Sequence, residues 1–209
     1  MSIEKAYNSW AEQYDTNDNK TRDLDAIATK ETLSRYRFKN VLELGCGTGK
    51  NTSWLLDRAE RILGLDFSYE MLNVAREKIT DRKVEFKIAD LNKQWEVEDQ
   101  FADLITSSLT LEHIDDMNRI FCQANKKLIK SGIFFICELH PFKQYVGSKA
   151  KYETENGTEE LTVFTHHISE YLENAKENGF ELLEIKEWFD DKAEKDIPRL
   201  ISFVFKKKN

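Results

Sequence analysis

The sequence predicts an α/β fold: a doubly wound sheet of seven strands, mainly parallel, closed by a terminal antiparallel hairpin. Three observations carry this. Short apolar runs alternate with stretches of helical periodicity along the 209 residues, the pattern of repeated strand–helix units. The run Val41-Leu42-Glu43-Leu44 breaks into alternating glycines, Gly45, Gly47 and Gly49, before a helix can start. The last two apolar runs, about 181 to 189 and 199 to 206, are separated only by a turn from Asp190 to Pro198 and suit a hairpin.

The elements follow in order. Ile3, Tyr7, Trp10 and Tyr14 recur at helical spacing and place an aromatic stripe on one face of a first helix. A second helix is expected over about 22 to 36. Val41, Leu42 and Leu44 have the character of a short buried parallel strand, and the segment from Asn51 opens the helix after the glycines. Arg61 to Asp66 is the second strand, and Ser68 caps an amphipathic helix with Met71, Leu72, Ala75 and Ile79 inward. Val84 to Ala89 is the third strand and a run near 102 to 107 the fourth. A helix near 116 to 129 should stop at Lys130-Ser131-Gly132, before a buried fifth strand from Ile133 to Leu139. Residues 140 to 168 show no clear period. A helix from Ser169 to Asn178 then ends at Gly179, which fits a C′ glycine.

Strand, glycine turn and helix together make a nucleotide-binding crevice, because backbone approaches a ligand closely at glycine and helix amides point back at it. The spacing narrows the ligand. A dinucleotide fingerprint would need glycine where Lys50 stands, and Gly49-Lys50-Asn51 lacks the Ser or Thr of a phosphate loop. Glu43, in the strand end, suits an ammonium or sulfonium group better than a pyrophosphate. Asp66 ends the second strand about 20 residues past the turn, where an acid accepts ribose hydroxyls. Asp90 ends the third and can accept from an adenine amino group.

Composition bounds the rest. Hydrophobic residues are 40% and aromatics 11%, enough for one ordinary domain with a substantial core. A net charge of −7 weighs against a nucleic-acid substrate. No apolar run approaches about 18 residues, so no membrane span is expected, and the N-terminus lacks a signal core. Cys46, Cys122 and Cys137 lack metal spacing and read as reduced, so the expected location is cytoplasmic and no metal is expected.

The segments Glu43-Leu-Gly-Cys-Gly-Thr-Gly49, Gly64-Leu-Asp-Phe-Ser68, Ala89-Asp-Leu91 and Phe101-Ala-Asp-Leu-Ile-Thr-Ser-Ser108 resemble the successive motifs of class I S-adenosylmethionine-dependent methyltransferases. The resemblance covers roughly residues 37 to 140 and is nearly silent on the acceptor. It implies a Rossmann-like methyltransferase sheet and S-adenosylmethionine as cofactor. Gly45 and Gly47 would pass beneath the methionyl part and Glu43 would help hold its amino end. Asp66 would bind the ribose, Asp90 and Leu91 the adenine, and Ser107 the cofactor through its backbone. Cys46, Gly49, Phe67 and Tyr14 complete the expected cofactor set. Relatives acting on nucleic-acid amino groups tend to carry an Asn/Asp-Pro-Pro-Tyr/Phe turn after the fourth strand, where this chain has Ser107-Ser108-Leu109-Thr110.

The expected organisation is one domain: an N-terminal helical lid over 1–36, a cofactor core over 37–139, a substrate cap over 140–168, and a last helix and hairpin over 169–209. The cap leaves the carboxyl end of a central strand, the edge where such sheets bind ligands. Its length marks it as functional. It carries His140, Phe142, Tyr145, Tyr152, Phe164, His166 and His167. His140 and His167 are the expected catalytic bases and Tyr145 an orienting hydroxyl. His113, after the fourth strand, is a further histidine placed to touch the cofactor region. The expected reaction is methyl transfer to an oxygen or nitrogen of a small molecule, without nucleic-acid or membrane partners. A non-catalytic nucleoside-binding module and a nicotinamide-dependent oxidoreductase are the competing readings.

Overall fold

Seven strands form one sheet in the order β3-β2-β1-β4-β5-β9-β8. They are β1 (Asn40–Leu44), β2 (Arg61–Asp66), β3 (Val84–Ile88), β4 (Ala102–Ser108), β5 (Leu128–Leu139), β8 (Phe180–Trp188) and β9 (Leu200–Lys207). The first five run parallel, and β9 lies antiparallel between β5 and β8, as the expected hairpin requires. The computed structural model describes residues 3–11, 13–147, 151–154, 157–160, 163–191 and 196–209.

Alternation along each strand divides the core between two faces. Leu42, Leu44, Leu63, Leu65, Phe134 and Phe203 meet α5 (Met117–Lys127) and α7 (Ile168–Glu177) on one face. Val41, Ile62, Phe135 and Val204 meet α2 (Lys20–Leu33) and α3 (Lys50–Leu56) on the other. α4 (Tyr69–Lys78) packs against β2, β3 and α1 (Ile3–Trp10). Side-chain caps begin two helices: Ser68 as expected, and Asn19, from which α2 starts at Lys20, about two residues ahead of expectation. Asn19 Oδ1 accepts from Arg22 N at 3.0 Å to begin α2, and Ser68 Oγ accepts from Met71 N at 3.2 Å to begin α4.

Three segments depart from expectation. The first helix ends at Trp10, so Tyr14 lies in the following turn and reaches Tyr7 from there, ring centroids 6.3 Å apart. α5 passes at Lys127 directly into β5, because Leu128 already pairs with Ala102. The expected stop at 130–132 is an irregularity within the ladder, which resumes at Leu104 opposite Ile133, with Ser131 at a φ of +60°. The cap holds regular structure that its polar sequence concealed: α6 (Pro141–Tyr145) and a hairpin of β6 (Lys151–Thr154) and β7 (Gly157–Glu160). Tyr152 lies in β6, and its side chain is outside the described residues. Among the described residues no helix is long and apolar enough to cross a membrane.

Candidate active site

The strand order reverses between β1 and β4, and an α/β sheet opens its ligand crevice at such a point. A cavity of about 740 Å³, counting its open mouth, lies there. Its floor is the turn after β1. Gly45 and Gly47 have φ of +66° and +52°, a region that L side chains rarely adopt. A Cβ on Gly45 would lie 2.1 Å from Thr110 Oγ1, whereas one on Gly47 would meet no atom within 4 Å. Gly45 is therefore small for packing, and Gly47 faces open space in the crevice.

Asp66 fixes this turn. Its Oδ2 accepts from Gly47 N at 2.9 Å and its Oδ1 from Ser68 N at 2.8 Å. Each carboxylate oxygen has two lone pairs, so two acceptor positions remain for a ligand. Asp90, on the same cavity, accepts from Asn92 N at 3.0 Å and faces Lys93. Ala89, Leu91, Met71 and Ile114 give apolar walls. From the N-terminal segment come Ile3, Tyr7 and Tyr14, with Phe67 opposite. Burial pushes the Tyr14 phenol up to about 12, against the pull of Arg22 stacked on its ring.

An adjoining cavity shares Tyr14, Gly45, Gly47, Ser108 and Leu109, and includes Glu43, Cys46, Asp25 and Thr106. Thr106 Oγ1 is buried there without a hydrogen-bond partner among the described residues. Glu43 accepts from Thr52 Oγ1 at 2.5 Å, and burial raises its carboxyl to about 8, with Asp25 and Asp66 adding repulsion. Glu138, at the end of β5, accepts from Thr110 N and Leu111 N at 3.0 and 2.9 Å and is likewise raised by burial to about 8. Burial alone lifts Glu112 to about 7, and it also raises Asp25 and Asp66.

These shifts set a pH dependence. Between the ordinary carboxyl value of about 4.3 and the raised native values, the folded chain binds more protons than the unfolded one. The stabilisation is full below that window and is lost as pH rises through it. His140, lowered by burial, opposes this over a narrower range. Thermal melts of the ligand-free protein should therefore show Tm falling from about pH 5 to about pH 8 and then levelling. A Tm that climbs across this range would contradict the buried-acid cluster.

Of the expected cofactor residues, Tyr14, Gly45, Gly47, Asp66, Phe67, Asp90 and Leu91 line the main cavity, and Glu43 and Cys46 the adjoining one. Gly49 and Ser107 line neither. Gly49 caps α3 with a φ of +78°, and Ser107 is fully buried within β4, with Ser108 on the wall in its place. The three residues expected to act on the acceptor are absent from both linings. His140 caps α6: its Nδ1 accepts from Phe142 N at 3.2 Å, and its Nε2 meets Glu187 of β8 at 3.1 Å. Tyr145 is exposed, its hydroxyl 2.6 Å from Nδ1 of His167, which caps α7. His166 ties the cap to the segment after β4, donating from Nε2 to the Ile114 carbonyl at 2.7 Å. The histidine on the main cavity is His113, in the turn Leu111–His113, bonded through Nε2 to the Tyr7 hydroxyl at 2.8 Å. Its signal in the sequence was its position just past the carboxyl end of β4, beside the crevice.

Comparison with known proteins agrees with this architecture. Residues 42–136 match a family described as a methyltransferase domain. An uncharacterized methyltransferase of Emericella nidulans is 26% identical over 86% of this chain and 76% of its own length. A ubiquinone biosynthesis O-methyltransferase of Coxiella burnetii is 30% identical over 70% of this chain and 65% of its own length. The crystal structure of an S-adenosylmethionine dependent methyltransferase from Mesorhizobium loti superposes with a TM-score of 0.73 at 22% identity, covering 88% of this chain and all of that one. The strand order, the glycine turn and the strand-end acids thus stand together with a methyltransferase-domain match over residues 42–136 and a fold similar to that of class I S-adenosylmethionine-dependent methyltransferases.

Proposed function

We propose that the chain transfers the methyl group of S-adenosylmethionine to an oxygen or nitrogen nucleophile of a small molecule. The observation that carries this reading is the charge of the crevice. Asp25, Glu43, Asp66, Glu112 and Glu138 bring carboxyl groups around the glycine turn and the segment after β4; among the described residues no Lys or Arg lines the main cavity, while Arg22 and Lys50 line the adjoining one. An excess of buried carboxyls favours a cationic ligand, because a bound positive charge offsets the cost of ionising them.

The residues fit such a cofactor. Gly47 leaves room for its amino-acid part, beside Gly45 packed on Thr110, with Glu43 and Cys46 on the adjoining cavity. Asp66 has acceptor positions for both ribose hydroxyls, and Asp90 and Leu91 border the adenine. Gly49 and Ser107 shape the turn and the strand end through backbone alone. Tyr14 and Tyr7 cover the site as part of an N-terminal lid that closes against Phe67 and excludes water. When bound, the cofactor supplies a methyl group activated by a cationic sulfur. The protein's share is to hold an acceptor in line with it, which is worth roughly 7–11 kcal/mol of barrier. The enclosed aromatic cavity and the net charge of −7 favour a small molecule over nucleic acid. A cytoplasmic location belongs to the same reading, with the unpaired thiols of Cys46, Cys122 and Cys137 kept reduced there.

The test is transfer of labelled methyl from S-adenosylmethionine across amines, phenols, alcohols, thiols and carboxylic acids. Label should appear in at least one class. Cofactor binding without transfer to any class would instead make the chain a non-catalytic binding module.

A further inference from the structure

The wall after β4 narrows the acceptor class. Tyr7 of α1 and His113 meet across the main cavity, hydroxyl to Nε2 at 2.8 Å, with ring centroids 5.5 Å apart and nearly perpendicular. The two groups are 106 residues apart in sequence and belong to different walls, the N-terminal helix and the segment that leaves β4. Acidic groups face the pair from several elements: Glu112 beside His113, Glu138 from β5, Asp66 from β2 and Tyr14. Glu112 Oε1 lies 3.9 Å from His113 Nε2, and its Oε2 is buried without a hydrogen-bond partner among the described residues. Of the described lysines and arginines only Lys127 is buried, and it is bound to Asp99 and the Val97 carbonyl.

We propose that the methyl acceptor is an amine or a neutral hydroxyl compound, not a carboxylate, and that His113, steadied by Tyr7, receives the hydrogen bond and then the proton of its nucleophilic group. A carboxylate acceptor brought against this wall would meet Glu112, Glu138 and Asp66, and among the described residues no lysine or arginine lines the main cavity to hold it. An N–H or O–H donor finds an imidazole nitrogen whose present partner is a hydroxyl able to turn aside. The acceptor's lone pair would form the bond to the methyl carbon as the carbon–sulfur bond breaks, its electron pair staying on sulfur, which leaves as a neutral thioether. The acceptor's proton would pass to His113 and from there to water. Because Tyr7 arrives with α1, the pair is complete only when the N-terminal helix is docked.

This rests on the methyl-transfer reading, and one assay separates the two. Label transfer is measured across the acceptor panel, together with the cofactor Kd, for the parent, His113→Gln and Tyr7→Phe. The expected result is transfer to an amine or hydroxyl compound and none to carboxylic acids. For His113→Gln, kcat should fall about 10²-fold or more while the cofactor Kd stays within about threefold. Tyr7→Phe keeps the ring contacts and should lose less than His113→Gln. Transfer to a carboxylic acid would leave the methyl-transfer reading standing and overturn this one. So would a His113→Gln enzyme with parental kcat, or one that loses cofactor binding and turnover together, which would make His113 structural. No transfer to any class would overturn both.

Discussion

Gly47→Val abolishes S-adenosylmethionine binding and leaves a folded protein. A Cβ at this position meets no protein atom within 4 Å, so the added side chain enters the space the cofactor would fill. The backbone φ of +52° makes valine strained there, at a cost of order 1–3 kcal/mol. That is less than the roughly 5–15 kcal/mol by which domains are stable. We expect a cofactor Kd raised at least about 100-fold, equivalent to about 2.7 kcal/mol, with a cooperative melt only a few degrees lower. Gly45→Ala should behave in the opposite way. Its Cβ would lie 2.1 Å from Thr110 Oγ1, which is tied to the Ser108 carbonyl at 2.9 Å, so stability falls first. Calorimetric titration and thermal melts on both variants check the pair. Binding by Gly47→Val within threefold of the parent would show that this glycine does not floor the site.

Asp66→Ala weakens cofactor binding by roughly 10- to 100-fold and also loosens the turn. Two effects add. Each hydrogen bond to a charged acceptor is worth about 1.5–3 kcal/mol, and the ribose would lose its acceptor. The Gly47 and Ser68 amides, bonded to this carboxylate at 2.9 and 2.8 Å, would lose theirs as well. Asp66→Asn offers an oxygen to only one of the two amides, so it should fall between alanine and the parent in both affinity and Tm. Parental affinity in Asp66→Ala, measured by titration, would remove Asp66 from the cofactor site.

What the sequence made legible is what local chemistry decides. Apolar runs placed the strands of the sheet, and Ser68 caps its helix through a contact three residues away. Gly45, Gly47 and Gly49 are legible because positive φ selects glycine at the position itself. The strand-end acid Asp66 shares a wall with Gly45 and Gly47 because parallel strands end at one edge. His113 was legible as a neighbour of the cofactor region, but the places of His140 and His167 were not, because where a ring points depends on distant partners. His140 is folded back by its own capping bond and held by Glu187, which β8 brings from 47 residues away. His167 opens a helix and meets Tyr145 on the cap's surface. His113 reaches the cavity because Tyr7, from the other end of the domain, docks against it. The passage from α5 into β5 was hidden for a similar reason: Leu128 is drawn into strand by Ala102, not by its own neighbours.

The central claim is that the crevice between β1 and β4 holds S-adenosylmethionine. Isothermal titration calorimetry of the ligand-free protein with S-adenosylmethionine, with NAD as the comparison, tests it most directly. The account predicts saturable binding of S-adenosylmethionine at one site per chain and no heat from NAD. Absence of binding by S-adenosylmethionine, or equal binding of NAD, would contradict it.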